Sequence, residues 1–235
     1  MSALVITPVK DALAATLQTV NAIVNSDQKV QYRVYNDYSS TETEQALEKA
    51  AGEVGFTLFH LSNLTSTPSP NYKTVLQHAQ KASLEAGLPL IIIESDVTVK
   101  NDTISKLLEF AQAHPKSGLV GAITVDERNR VNFPYLKFKH EKRAVIQTKR
   151  SLSFCCTLLT LGFLEAYSFT ALDESKDWFD THVSKKAIEL GFENYVLTDV
   201  KVTHQPHGSR PWKMLKYTNP ITYYLNKFFK GRDKI

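Results

Sequence analysis

The sequence predicts an α/β domain, with a mostly parallel central sheet flanked by helices and a C-terminal amphipathic helical tail. Three observations carry this. Short apolar runs alternate with stretches of helical period through the first 125 residues, the pattern of a parallel sheet with right-handed crossovers. Leu88 to Ile93 is a continuous apolar run, as expected of a strand covered on both faces. Polar residues gather where the runs end, at Thr7, Asn36-Asp37 and Glu94-Ser95-Asp96. Open α/β sheets bind ligands beyond the carboxyl ends of their strands.

In order, Ala3 to Ile6 is a strand and Asp11 to Val24 a helix. Val30 to Tyr35 is a second strand. Thr41 then caps a helix through Ala51, with Glu44 as its capping-box partner. Gly55 to Leu61 is a third strand, and a Ser/Thr/Pro-rich loop from Ser62 to Pro70 leads into a helix from Asn71 to Ala86. After the apolar run, Asp102 to Ala113 is a helix and Gly118 to Ile123 closes the series. Beyond residue 125 the alternation stops. Ser151 to Leu159 is an apolar strand, Asp177 to Leu190 a helix ended by Gly191, and Tyr195 to Thr203 a strand.

The chain has 235 residues and a net charge of +4, and that mild figure hides an uneven distribution. Residues 128–150 hold eight Lys/Arg against Glu141 alone, a net of +7. Residues 210–235 hold seven against Asp233, a net of +6, which leaves −9 elsewhere. An acidic body with two basic segments points to an anionic partner. The 128–150 segment lacks the aromatic interleaving of a nucleic-acid groove, so the expectation is no nucleic acid.

Two adjacent cysteines, Cys155 and Cys156, form no disulfide framework and read as small core hydrophobes of a reducing compartment. The first residues carry no basic stretch ahead of an apolar one, and no apolar run reaches the roughly 20 residues of a membrane span. The expectation is a cytoplasmic protein. The sequence carries no signal for an oligomeric state.

Glu94-Ser95-Asp96 offers two carboxylates two residues apart at the end of a buried strand. Pleating puts both on one side of the backbone, and such oxygens suit a divalent cation that also takes phosphates. No P-loop lysine motif or dinucleotide glycine fingerprint occurs. The ordered set of Val5-Ile6-Thr7-Pro8, Asn36-Asp37-Tyr38-Ser39-Ser40-Thr41, Asn71, Glu94-Ser95-Asp96, Ser153-Phe154-Cys155-Cys156, Leu172-Asp173-Glu174, Asp180 and Val202-Thr203-His204 resembles the family 2 glycosyltransferases of the GT-A (Rossmann-like) fold.

The resemblance implies one domain over 1–209, with a nucleotide-sugar-binding half (1–125) and an acceptor half (126–209), and the tail over 210–235. It implies that Thr7, Pro8 and Asp37 line the base pocket, with Glu94 and Ser95 also on the nucleotide. Asp96 and His204 would bind Mn²⁺ or Mg²⁺. Asp180 would be the general base of an inverting transfer, with Asp177 as its rival. Asn71, His207 and Ser209 would contact the acceptor or the diphosphate. The implied partners are a nucleotide-sugar donor and a glycan or lipid-linked acceptor in cell-surface polysaccharide assembly. Phe179 stands where the family has a Glu and His182 where a second Asp is common, which keeps a catalytically silent nucleotide-sugar-binding protein open. A nucleotidyltransferase is the other alternative, although Thr7 to Asp11 provides no Gly-rich basic loop.

In Pro220 to Lys230, Ile221, Tyr224, Leu225, Phe228 and Phe229 follow helical spacing on one face. With the surrounding basic residues this reads either as an interfacial helix on the anionic inner face of the cytoplasmic membrane or as a helix packed on the domain.

Overall fold

The computed structural model describes residues 2–173, 178–205 and 219–229. The first half runs β1 (Leu4–Val9), α1 (Leu13–Val24), β2 (Gln31–Asn36), α2 (Thr41–Val54), β3 (Thr57–His60), α3 (Tyr72–Ala86), β4 (Leu90–Ile93), β5 (Val97–Thr98), α4 (Thr103–Ala113) and β6 (Ser117–Val125). The second half adds β7 (Val145–Gln147), β8 (Cys156–Leu159), α5 (Leu161–Ala166), α6 (Phe179–Glu189), β9 (Glu193–His204) and α7 (Pro220–Phe229).

The described strands join one sheet in the order β3-β2-β1-β4-β8-β6-β9-β5, with β7 also on β9. The β3-β2-β1-β4 half is parallel, as the alternation implies. Beyond it the sheet is mixed. β6 does not continue the parallel series beside β4; β8 lies between them, antiparallel to both. The segment between β6 and β8 contains no α-helix, and an antiparallel neighbour needs no helical crossover.

Alternate residues of the central strands feed two cores. Leu4, Ile6, Leu90 and Ile92 pack with Leu76 and Ala79 of α3, Phe163 of α5 and Val183 of α6. Val5, Val9, Ile91 and Ile93 pack on the other face with Val20 of α1, Leu47 of α2 and Ile104 of α4. Each fully buried aliphatic side chain contributes about 1.5–3 kcal/mol, so β4 anchors both layers. This two-sided cover is why residues 88–93 read as one apolar run.

Local signals shift two boundaries. Ser40, not Thr41, caps α2, its Oγ accepting from the Thr43 N–H at 3.4 Å. Glu44 therefore is no capping partner, and its carboxylate lies 3.1 Å from His60 Nδ1. Gly55 ends α2 at φ 84° rather than opening β3, a left-handed position that glycine adopts without a Cβ penalty.

Gly121 of β6 lets two elements meet. A Cβ there would lie 2.8 Å from the Tyr135 hydroxyl and 3.2 Å from Thr157 Oγ1. Tyr135 is fully buried, and its hydroxyl accepts from the Ser153 N–H at 3.1 Å. Gly121→Ala is expected to destabilise the fold by about 1–3 kcal/mol through overpacking, measured as a lower urea midpoint at unchanged slope.

Candidate active site

The carboxyl ends of β1, β2 and β4 share one edge of the sheet, and antiparallel β8 brings its amino end to the same edge. Ile93 pairs with Cys156, and the Glu94 N–H donates to the Cys155 carbonyl at 3.0 Å. The chain then turns. The Glu94 carbonyl accepts from the Val97 N–H at 3.1 Å, closing a tight turn through Ser95 and Asp96. The expectation that pleating aligns the two carboxylates is corrected, because it is this turn that aims them. Ser95 is buried within it.

A short ladder sets His204 against the turn. Val97 of β5 lies opposite His204 of β9, and the Gln205 N–H donates to the Asp96 carbonyl at 3.0 Å. His204 is 5% exposed, and its Nδ1 lies 2.7 Å from the Phe133 carbonyl. A carbonyl only accepts, so Nδ1 carries a proton and Nε2 is turned to the cluster. Nε2 lies 3.5 Å from Asp96 Oδ2 and 3.9 Å from Cys155 Sγ, and Sγ lies 3.3 Å from Glu94 Oε2. Donor atoms of Glu94, Cys155 and His204 all fall within 4.8 Å of one another. Carboxylate, imidazole and thiol together fit a divalent transition-metal cation.

The charges explain two shifted titrations. Burial pushes the Cys155 thiol well up, and the neighbouring Glu94 and Asp96 carboxylates push it further. Burial alone would depress His204, but its contact with Asp96, the field of Glu94 and the Phe133 carbonyl outweigh this and raise it.

A second group forms at the ends of β1 and β2. Asp37 Oδ2 accepts from the Ser69 hydroxyl at 2.7 Å and the Asn71 N–H at 2.9 Å, and Oδ1 accepts from Asn71 Nδ2 at 2.8 Å. Asn71 precedes α3 but makes no side-chain cap there, its amide being held by Asp37 and the Thr67 carbonyl. Asp11 and Ala12 both hold left-handed backbone, at φ 57° and 53°, which costs an L residue about 1–2 kcal/mol. The Ser40 N–H donating to Asp11 Oδ1 at 2.7 Å and the Asp11 N–H donating to Ser39 Oγ at 2.9 Å offset part of that. The Thr7 side chain points into the core, its Oγ1 accepting from the Tyr32 hydroxyl at 2.9 Å. Pro8, of opposite parity on β1, is partly exposed.

Asp180 occupies the first turn of α6. Beside it, Phe179 stacks on Tyr72 at 6.3 Å between centroids, and Tyr72 lies 6.3 Å from Phe154. Three rings thus connect the start of α6 to Asn71 on one side and Cys155 on the other. Asp177, His207 and Ser209 lie outside the described residues.

Cys155 and Phe133 are the residues that sequence reading missed. Cys155 read as core because it sits in an apolar run, and only the antiparallel register beside Glu94 marks it otherwise. Phe133 acts through a carbonyl, which no side-chain pattern reveals. The start of the basic 128–150 segment supports the histidine: Asn132 Nδ2 donates to the His204 carbonyl at 2.9 Å. Arg128, Arg130 and Asn132 line a cavity of about 410 Å³ beside His204.

The family model for glycosyl transferase family 2 matches residues 4–168. The chain belongs to glycosyl transferase family 2. No curated protein matches it in sequence. Among solved structures it is similar to the mannosyltransferase PcManGT from Pyrobaculum calidifontis in complex with GDP-Man and Mn²⁺, at a TM-score of 0.65 and 16% identity over 96% of this chain and 64% of that one. It is also similar to S. aureus TarS 1–349 in complex with UDP-GlcNAc, at 0.65 and 17% over 96% and 64%. GalNAc-T7 with UDP, GalNAc and Mn²⁺ gives 0.66 and 13% over 90% and 46%. At these identities the likeness shows the shared GT-A fold. This family 2 chain spans 64% or less of the length of each of these three proteins.

Because His204 titrates higher folded than unfolded, its protonated form adds stability below the unfolded value of about 6.5, and that increment is lost as pH rises through the folded value. In chelator-treated protein, the stability difference between wild type and His204→Asn is expected to be largest below about pH 6.5 and to shrink at higher pH. Urea titrations of both proteins across that window check it.

Proposed function

We propose that this chain is an inverting glycosyltransferase, moving a sugar from a nucleotide-sugar donor to a glycan or lipid-linked glycan acceptor in cell-surface polysaccharide assembly. The observation that carries this reading is the convergence of Glu94, Asp96 and His204 at the carboxyl edge of the sheet, in a chain of this family. The donors bound by PcManGT and TarS support the nucleotide-sugar class.

Asp37, immobilised by Ser69 and Asn71, reads the nucleotide base, with Pro8 lining the pocket, while the fully buried Thr7 supports the strand beneath it. Glu94 and Ser95 face the nucleotide, and Asp96 and His204 hold Mn²⁺ or Mg²⁺. When bound, the ion neutralises the diphosphate leaving group. Arg128 and Arg130 line the cavity beside His204 together with Asp126 and Glu127, and Arg130 pairs with Asp126 at 2.7 Å. Asp180 takes the proton of the acceptor hydroxyl as it attacks the anomeric carbon from the face opposite the diphosphate. Asp177 is the rival base, and His207 and Ser209 lie on the acceptor or diphosphate side.

The tail supports attachment to an anionic membrane surface. Ile221, Tyr224 and Leu225 are 75%, 54% and 51% exposed, while Tyr223 is buried. These three exposed apolar side chains support a membrane-facing reading of this end of α7. Among the described residues no helix is long and apolar enough to cross a membrane.

With a panel of nucleotide sugars and Mn²⁺, Asp180→Asn is expected to lower kcat by about 10²–10⁴-fold while nucleotide binding is kept. Asp96→Ala is expected to lose metal-dependent nucleotide binding and turnover together. Nucleotide binding without turnover for any donor would favour the silent binding protein, a reading that the stacking of Phe179 on Tyr72 supports. Replacing Ile221 and Leu225 with Ser is expected to release the protein from anionic vesicles without changing its urea midpoint, as read by vesicle co-sedimentation.

A further inference from the structure

Cys155 is a thiol inside the proposed cation site. The residue is 2% exposed, and its Sγ lies 3.3 Å from Glu94 Oε2 and 3.9 Å from His204 Nε2. Bond lengths of about 2.3 Å to sulfur and 2.0–2.2 Å to nitrogen and oxygen, at tetrahedral angles, separate donor atoms by roughly 3.4–3.6 Å. The two sulfur separations lie on either side of that value, and the Glu94 and His204 donor atoms lie within 4.8 Å of each other. The Ser153 hydroxyl donates to Sγ at 3.3 Å, and the Phe133 carbonyl fixes the imidazole so that Nε2 faces inward. Both are the outer contacts that orient metal ligands. Cys156, its neighbour, has no polar partner among the described residues and lies in the apolar core.

We infer that Cys155 Sγ is a direct ligand at this site, with Glu94 and His204, and that it biases the site toward thiophilic divalent cations such as Zn²⁺ and Co²⁺ over Mg²⁺. The inference rests on the cation-dependent reading above. Thiol ligands select softer ions, whereas carboxylate and water ligands suit Mg²⁺. The Asp96 carboxylate assigned to the ion above lies 3.5 Å from His204 Nε2, so the thiolate adds to a carboxylate–imidazole set, and an ion that expands to five ligands keeps a position open for a donor oxygen. On binding, the S–H bond breaks heterolytically, the proton leaves to solvent and the sulfur lone pair goes to the ion. No oxidant or reductant is involved.

The test is Co²⁺ titration of the full chain, read by absorption. Wild type is expected to develop an intense near-ultraviolet sulfur-to-cobalt band that Cys156→Ser keeps and Cys155→Ser and Cys155→Ala lose. Zn²⁺ affinity, measured by competition with a chelating dye, should fall roughly tenfold or more in Cys155→Ser, with Mg²⁺ affinity unchanged. Absence of the band in wild type overturns the inference, whatever the variants do, and so does a band lost only in Cys156→Ser. Nucleotide-sugar turnover with Mn²⁺ is measured on the same preparation. Turnover without the sulfur band removes the thiol ligand and leaves glycosyl transfer standing. A band without turnover does the reverse.

Discussion

Antiparallel β8 lies between β4 and β6, and the arrangement of the site follows from that insertion. In a parallel sheet every strand delivers its carboxyl end to the ligand edge. An antiparallel neighbour delivers its amino end there instead. Cys155 therefore sits against Glu94, with Phe154 behind it to receive Tyr72. A parallel β8 would have placed Leu159 and Thr160 at that edge, which offer no thiol, and would have left Phe154 at the far end of the sheet. The β5–β9 ladder completes the geometry by fixing His204 against the Glu94–Val97 turn.

The first half of the fold was legible because its signals are local. Period-2 and period-3.6 patterns report burial directly, and β4, covered on both faces, announces itself as an unbroken apolar run. The left-handed Gly55 and the Ser40 cap moved boundaries by one to three residues without changing an element. The second half was less legible because β8 and β9 take their places through long connections, and strand direction leaves no trace in a short apolar run. The site divides in the same way. Glu94, Asp96 and His204 were legible as an ordered motif set, whereas Cys155 and the Phe133 carbonyl depend on register and on backbone position.

Asp37 illustrates how a residue in a motif acquires a second task. Its two oxygens accept three hydrogen bonds from Ser69 and Asn71, so the loop before α3 is tied to the end of β2. Across the same corner, Ser39 and Ser40 bond to Asp11 and hold the left-handed Asp11–Ala12 pair in place. Side-chain bonding from two loops keeps this costly backbone populated, as strained segments require of their surroundings.

The Glu94, Cys155 and His204 side chains sit at the ends of three different strands, and 61 and 49 residues of chain separate Cys155 from the other two. These segments lie far apart in the unfolded chain and meet only in the folded one. Any ion that bridges them binds the native state alone, so occupancy and folding are thermodynamically linked, with a stabilisation growing as RT ln(1 + [L]/Kd). The melting temperature of the chain is in this sense a readout of its cation supply.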